Sequence, residues 1–319
     1  MQSLGLIPRF SKLALNNEKE LILKVPWGKL TALCWGEPSD PPVFLCQGRL
    51  DSCSSFRPLV QRLPSQYFYV SVDLPGNGKS DHYPRSGALH VIDFVPPIEK
   101  IIDHFKWNKF TWVGHSLGAA IGKVLNQLQP GQITRMVDVD PEPAYLPRLN
   151  DLSFWYKDYC SVKFCGADDH YKLKLGPETA PKYTYEDVRN KMMKARGASE
   201  HIVEHVLERC LEQTDDGLYR LTFDQRFKFL LLPTFLYDSL HEFYTSPKTP
   251  TLGIFATESI ARNCYKAFPF ALDDKAWRHG NYRHIVLEGG HDLHLQKPED
   301  LAEHIATFLK DNPEKIVAK

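Results

Sequence analysis

A serine between two glycines is the feature of this chain best suited to covalent chemistry. The segment GHSLG (114–118) follows the apolar run 110–113 and precedes a stretch with helical apolar spacing, 117–128. On a sharp strand-to-helix turn, a serine hydroxyl stands above the sheet and the flanking glycines let neighbouring chain approach closely. The first free N–H groups of the helix then face the group under attack. The pattern predicts a nucleophile elbow with Ser116 as the nucleophile.

A serine hydroxyl needs a base and an acid, because it is a weak nucleophile at neutral pH. After a nucleophile elbow these partners follow in the order acid, then histidine. His291 lies in a glycine-containing loop directly after the predicted strand 284–287 and before a predicted helix, so we take it as the base. His294, three residues further on, is the remaining rival.

Two carboxylates stand at strand ends where the acid is needed. Glu258 follows the apolar run 252–256, and Asp140 ends the run 133–139. Either group can accept a hydrogen bond from an imidazole N–H, so both remain open. We favour Glu258 and keep Asp140 as the alternative, since Asp-Pro is also an ordinary turn dipeptide.

An oxyanion hole requires two backbone N–H donors close to the nucleophile. One is the N–H of Leu117, directly after the serine, and the other comes from the loop after the third strand, CQGRLD (46–51). The predicted pair is therefore Leu117 and Arg49. Such donors stabilise the negative charge that develops on a carbonyl oxygen under attack.

The elements that must position these residues alternate along the chain. Amphipathic segments such as 54–63, 98–105 and 117–128 separate short β-rich runs, which lie at 21–25, 29–34, 43–46, 68–72, 110–113, 133–139, 252–256 and 284–287. This alternation predicts an α/β fold whose mostly parallel central sheet is covered by helices on both faces. Residues 141–249 break the alternation and are predicted to be mainly helical. We therefore predict a core of 1–140 and 250–319 and a helical cap, 141–249.

Composition excludes several classes of partner. The 39 basic residues equal the 39 acidic ones, so no net positive charge favours nucleic acid. No run of about eighteen apolar residues predicts a membrane span.

The first twenty residues lack a secretory apolar region, and the seven cysteines are odd in number and scattered, so we expect free thiols and a cytoplasmic location. A small molecule is the expected partner, and the sequence does not fix the oligomeric state.

One further pattern suggests a metal site. HIVEH (201–205) matches the inverted motif of zinc proteases, with two histidines one helical turn apart. The apolar residues Ile202, Val203 and Val206 already explain this segment as an amphipathic helix. The sequence therefore predicts neither a metal nor a cofactor.

Taken together, these segments resemble the α/β-hydrolase superfamily and, within it, the serine hydrolase-like proteins. The resemblance covers roughly residues 20–310 and rests on VPWG (25–28), LDSCSSF (50–56), DLPGNGKS (73–80), the elbow, DQR (224–226) and the His291 loop. It implies the α/β-hydrolase fold, a serine nucleophile, a histidine base and a mobile helical cap. The superfamily's acid usually follows the strand before Glu258, whereas some members use the position of Asp140.

The chain departs from this family at the oxyanion loop, where QGRLD (47–51) replaces HGWLD. Gln47 can donate and accept in place of the histidine, but Arg49 puts a cation where an aromatic ring would line the pocket. The implied function is a cofactor-independent serine hydrolase that cleaves an ester of a small, mainly apolar molecule, of the carboxylesterase or lipase type. A non-hydrolytic binding module, and a lyase or acyltransferase on the same fold, remain alternatives.

Overall fold

An eight-stranded sheet lies at the centre of the computed structural model, which describes residues 13–84, 88–144, 146–147, 180–232 and 234–311. The strand order is β1-β2-β4-β3-β5-β6-β7-β8. Strand β2 is antiparallel to both of its neighbours, and the other pairs are parallel. The strands are β1 (Lys19–Val25), β2 (Gly28–Trp35), β3 (Pro42–Cys46), β4 (Phe68–Val72), β5 (Phe110–His115), β6 (Ile133–Val139), β7 (Thr251–Ala256) and β8 (Tyr282–Leu287).

Helices cover both faces of this sheet, as the alternating pattern predicts. Along β3, Phe44 packs in the core cluster of α2 and α3, whereas Leu45 packs in the cluster of α1 and α9, because successive strand side chains point to opposite faces. The helices are α1 (Arg57–Val60), α2 (Val95–Phe105), α3 (Leu117–Leu128), α4 (Tyr185–Arg196), α5 (Glu200–Cys210), α6 (Tyr237–Thr245), α7 (Thr257–Ala261), α8 (Leu293–Gln296) and α9 (Pro298–Lys310).

The predicted cap segment contains two kinds of packing. Helices α4 and α5 share a small apolar cluster of their own, which includes Val188, Val206 and Leu207. Helix α6 instead places Leu240 and Tyr244 in the main core. The boundaries of a separate cap, 141–249, therefore stay a prediction, and the sequence 148–179 lies outside the described residues.

Buried ion pairs fasten α5 to the first strands of the sheet. Arg209 pairs with Asp73 and with Glu20, each at 2.7 Å. Arg57, at the start of α1, pairs with Glu18 at 2.7 Å and with Glu208, the residue before Arg209 in α5. Moving α5 away would leave buried charges without their partners, which is costly, so these pairs fix the position of α5.

Two other sequence expectations can be compared with the structure. Within the described ranges, no helix is both long and apolar enough to cross a bilayer. The five cysteines in those ranges are free thiols, four of them buried.

Candidate active site

Ser116 lies on the turn between β5 and α3 in a strained backbone conformation. Its φ is 52° and its ψ is −115°, a region that side-chain-bearing residues rarely occupy. Its backbone is held from two sides, since its N–H donates to the carbonyl of Val139 at 3.0 Å and its own carbonyl accepts from the N–H of Glu142 at 3.1 Å. This turn has the geometry expected of a nucleophile elbow.

The two flanking glycines are required because other backbone lies where their side chains would be. A Cβ on Gly118 would stand 2.0 Å from the carbonyl oxygen of Cys46, and one on Gly114 would stand 2.5 Å from the N of Ala119. No larger residue fits at either position without moving the backbone of β3 or α3. The close approach brings the end of β3 beside Ser116.

The loop after β3 therefore passes directly by Ser116. A Cβ on Gly48 would lie 3.1 Å from the Cβ of Ser116. Across the described ranges, the backbone N–H groups of Leu117 and Arg49 donate to no protein acceptor. Both amides are available to a ligand, as an oxyanion hole requires.

Gln47 and Arg49, the two departures in this loop, have definite contacts. Gln47 is fully buried, and its Nε2 donates to the backbone carbonyl of Asp51 at 2.9 Å, which braces the loop. The side chain of Arg49 forms an ion pair with Glu142, whose backbone N–H contacts the elbow. The Arg49 cation is thus neutralised by a neighbouring carboxylate.

The imidazole of His291 is bonded to Asp140. The distance from His291 Nδ1 to Asp140 Oδ2 is 2.6 Å, and the carboxylate is completely buried. This contact fixes the imidazole orientation, because the carboxylate accepts from Nδ1–H and leaves Nε2 facing outward as the acceptor. The outer part of the ring remains accessible, with 44% of the His291 side chain exposed.

Three further donors hold the Asp140 carboxylate in place. Oδ1 accepts from the N–H of Ala256 at 2.8 Å and from the hydroxyl of Tyr265 at 2.6 Å, while Oδ2 accepts from the hydroxyl of Ser259 at 2.5 Å. Burial raises the pKa of Tyr265, and the adjacent carboxylate raises it further, so the phenol keeps its proton. Asp140 is therefore well suited to orient an imidazole.

Glu258, which we favoured from the sequence, does not have the expected contact. Its side chain is 55% exposed and pairs with Arg262 at 2.8 Å, one turn along α7. The carboxylate that bonds His291 is instead Asp140, the alternative at the end of β6. The physical reason is that Glu258 lies in the first turn of α7, where its side chain extends along the helix surface.

With this geometry established, the chain can be compared with known proteins. A profile of the alpha/beta hydrolase fold matches residues 41–298. This chain belongs to the alpha/beta hydrolase fold family. Human serine hydrolase-like protein 2 is 25% identical over 312 residues, covering 91% of this chain and 94% of that protein. A mouse serine hydrolase-like protein is 26% identical over 307 residues, covering 91% and 95%.

Solved structures agree on the fold of this α/β hydrolase. A hypothetical protein from Pseudomonas aeruginosa PAO1 has a TM-score of 0.73 at 23% identity, covering 92% of this chain and 99% of that chain. Naproxen esterase from Bacillus subtilis has a TM-score of 0.59 at 18% identity, with 94% of each chain covered. The resemblance to the serine hydrolase-like proteins and the α/β-hydrolase fold are both confirmed.

The loops that carry Ser116 and His291 contact each other through His115. His115, adjacent to Ser116, bonds through its Nε2 to the carbonyl oxygen of His291 at 2.9 Å. Among the hydrogen bonds of the described ranges, none joins the Ser116 hydroxyl to the His291 ring. In free enzymes such catalytic contacts are often long and shorten only when substrate binds.

The other candidate histidines lie elsewhere. His294 is fully buried, and its ring centroid is 4.2 Å from that of His115, so it does not reach the accessible side of the site. On α5, the rings of His201 and His205 are 5.4 Å apart, and within the described part of the chain no third ligand joins them. His205 is buried, whereas His201 is exposed.

Arg196, at the end of α4, connects the predicted cap segment to the loop of His291 and to the loop after β3, and it was not identified from the sequence. It donates to Asp292, next to His291, at 2.7 Å and to the carbonyl of Leu50, in the oxyanion loop, at 2.5 Å. Although burial opposes its charge, Asp292 and Asp51 raise its pKa above the usual value, so it stays charged. Arg196 therefore fixes the position of one loop relative to the other.

We expect Arg196→Met to destabilise the protein. Removing this cation leaves Asp292 buried without its partner, which costs about 3–5 kcal/mol of unfolding free energy. Urea unfolding measures this loss, and Arg262→Met is the matched control because the Arg262–Glu258 pair is exposed. A cost for Arg196→Met no larger than for the control would contradict the assignment.

The environment of His291 also predicts a pH profile. Burial lowers its pKa, but the hydrogen bond and charge of Asp140 outweigh burial and raise the pKa above 6.5. Since only neutral imidazole accepts a proton, kcat/KM should rise with pH through a midpoint above 6.5. Asp140→Asn should move that midpoint to lower pH, and Glu258→Gln should leave it in place. An upward shift in Asp140→Asn would refute this account.

Proposed function

We propose that this protein is a cofactor-independent serine hydrolase that cleaves a carboxylic ester of a small, mainly apolar molecule. The observation that carries the proposal is the buried Asp140 carboxylate bonded to His291 beside a strained, glycine-flanked Ser116. Serine, acid and histidine occur in the chain order used by α/β hydrolases. The serine hydrolase-like relatives support the same class.

In the proposed reaction, the Ser116 oxygen attacks the ester carbonyl carbon while His291 Nε2 takes the hydroxyl proton. The N–H groups of Leu117 and Arg49 hold the oxyanion of the tetrahedral intermediate, each contributing about 3 kcal/mol to its stabilisation. Collapse breaks the bond to the alcohol oxygen, which leaves with the proton from His291. Water, deprotonated by His291, then cleaves the acyl-serine and releases the carboxylic acid.

The charge around the nucleophile supports an uncharged substrate. Arg49 lies in the predicted oxyanion loop, and its ion pair with Glu142 balances the charge of its guanidinium. An anionic substrate would have to break this pair, whereas a neutral ester would not. We therefore expect neutral esters to be preferred over esters that carry a carboxylate near the acyl carbon.

A fluorophosphonate probe tests the proposal directly, because it forms a stable bond only with an activated serine. We expect one label on the wild-type protein, located at Ser116 by peptide mass mapping, and no label on Ser116→Ala. A panel of neutral esters of graded acyl length then measures kcat/KM. Folded wild-type protein that remains unlabelled and hydrolyses no ester would refute the proposal.

A non-hydrolytic binding module is the second candidate. Two observations support it: Gln47 and Arg49 replace the family's usual residues, and no hydrogen bond in the described ranges joins the Ser116 hydroxyl to the His291 ring. The double variant Gln47→His/Arg49→Trp separates the two candidates. Activity gained only in that variant would favour the binding module, because the chain would then be a hydrolase that has lost its activity through these substitutions. Product analysis with an added alcohol detects an acyltransferase.

A further inference from the structure

Three buried side chains, which we call the Asp51 cluster, meet beneath the nucleophile. Asp51 comes from the loop after β3, His115 from the end of β5 and His294 from α8. Each is at most 1% exposed, and one ligand atom from each lies within 4.8 Å of the other two. The proposed hydrolysis uses none of these three groups as a nucleophile, base or acid.

The hydrogen bond of His115 leaves one ring nitrogen free for a ligand. Its Nε2 is 2.9 Å from the carbonyl oxygen of His291, and a carbonyl can only accept, so Nε2 carries the hydrogen. Nδ1 then has a lone pair, and it is buried with no hydrogen-bond partner. A ring that donates to a carbonyl on one side and offers a lone pair on the other is the usual state of a metal-bound histidine.

His294 and Asp51 complete the set of ligand atoms. Nδ1 of His294 is buried without a hydrogen-bond partner, and its Nε2 is 3.4 Å from Asp51 Oδ2. A tetrahedral zinc ion with bonds of about 2.1 Å has edges of about 3.4 Å between ligand atoms. The spacing therefore matches two ligands on one ion. Ser55 donates to the same carboxylate at 3.0 Å and would orient it.

The surrounding charges also accommodate a cation. The charge of Arg196 acts on both Asp51 and His115, and Arg196 is itself paired with Asp292 at 2.7 Å. The carboxylates of Asp51 and Asp292 and the guanidinium of Arg196 sum to one negative charge. Two imidazole nitrogens with one carboxylate oxygen suit zinc and similar ions, whereas calcium and magnesium prefer oxygen alone.

From this arrangement we propose that Asp51, His115 and His294 bind a divalent transition-metal ion, with Zn²⁺ the best match. Three protein ligands leave a fourth tetrahedral position for water. The site is separate from the proposed hydrolysis, so it stands or falls independently of Ser116 activity.

Calorimetric titration of untagged protein with ZnCl₂ tests this site. We expect one ion per chain, and at least about 100-fold weaker binding in Asp51→Asn and in His294→Gln, since losing even an outer-shell partner costs 10–100-fold. X-ray absorption of the zinc-loaded wild type should show two imidazole nitrogens and no sulfur. That spectrum keeps the test valid if a variant fails to fold.

Three control variants distinguish the rival sites, and each should bind zinc like the wild type. His291→Gln removes the imidazole bonded to Asp140, His201→Gln removes the histidine pair of α5, and Cys264→Ser removes the exposed thiol. Absence of zinc binding to the wild type would overturn the proposal. Binding that is lost in a control variant but kept in His294→Gln would overturn it equally.

Discussion

Replacing Ser116 with alanine is expected to lower kcat for a neutral ester by about 10⁶-fold, because the covalent route then has no nucleophile. Adding His291→Ala should cause little further loss, since residues that act as one catalytic unit are not additive. Steady-state assays of the two single variants and the double variant measure this. The unfolding free energies serve as a check that each variant is folded.

The outcome that contradicts this expectation is additivity. If Ser116→Ala and His291→Ala each cost a modest factor and the two factors multiply, the residues do not share one step. A Ser116→Ala variant that keeps most of the wild-type kcat would place the nucleophile elsewhere.

The second large effect is expected for Asp140→Asn, with kcat reduced by about 10⁴-fold. In the native protein, Oδ2 of Asp140 accepts from His291 Nδ1. The amide group of asparagine would present N–H there, so Nδ1 would have to accept and Nε2 would carry the hydrogen. An imidazole in that tautomer cannot take the proton of Ser116.

Glu258→Gln is the matched control for Asp140→Asn. Both changes replace a carboxylate with its amide, but Glu258 is exposed and bonds only Arg262 among the contacts in the described ranges. We expect kcat within about twofold of the wild type, as for most exposed ion pairs. A large loss in Glu258→Gln with a small loss in Asp140→Asn would reverse the assignment.

Local patterns predicted the residues whose roles depend on neighbours in the chain. The glycines around Ser116 and the loop before His291 are short-range signals, and the structure has a strand, a turn and a helix where those signals predicted them. The acid was harder, because both candidates follow strands that are neighbours in the sheet. Which one reaches His291 depends on side-chain direction, and spacing does not encode it.

Contacts between distant segments could not be predicted in the same way. Tyr265 and Ser259, which hold Asp140, lie 125 and 119 residues further along the chain. Arg196 reaches the loop of His291 and the loop after β3 from a helix that the sequence assigned only to the cap. The Asp51 cluster joins three segments that are distant in the sequence. Its three residues can be recognised as a group only because the fold brings them together beneath the elbow.

The ion pairs between α5 and the first strands have a consequence for engineering. Exchanging the cap of one hydrolase for another is a direct way to change which substrates enter. In this chain, such a graft would remove Glu208 and Arg209 and leave their partners Arg57, Asp73 and Glu20 in the recipient core. A donor segment must therefore carry an acid–arginine pair at the same two helix positions. Otherwise the partners that remain in the recipient core must also be replaced with neutral residues.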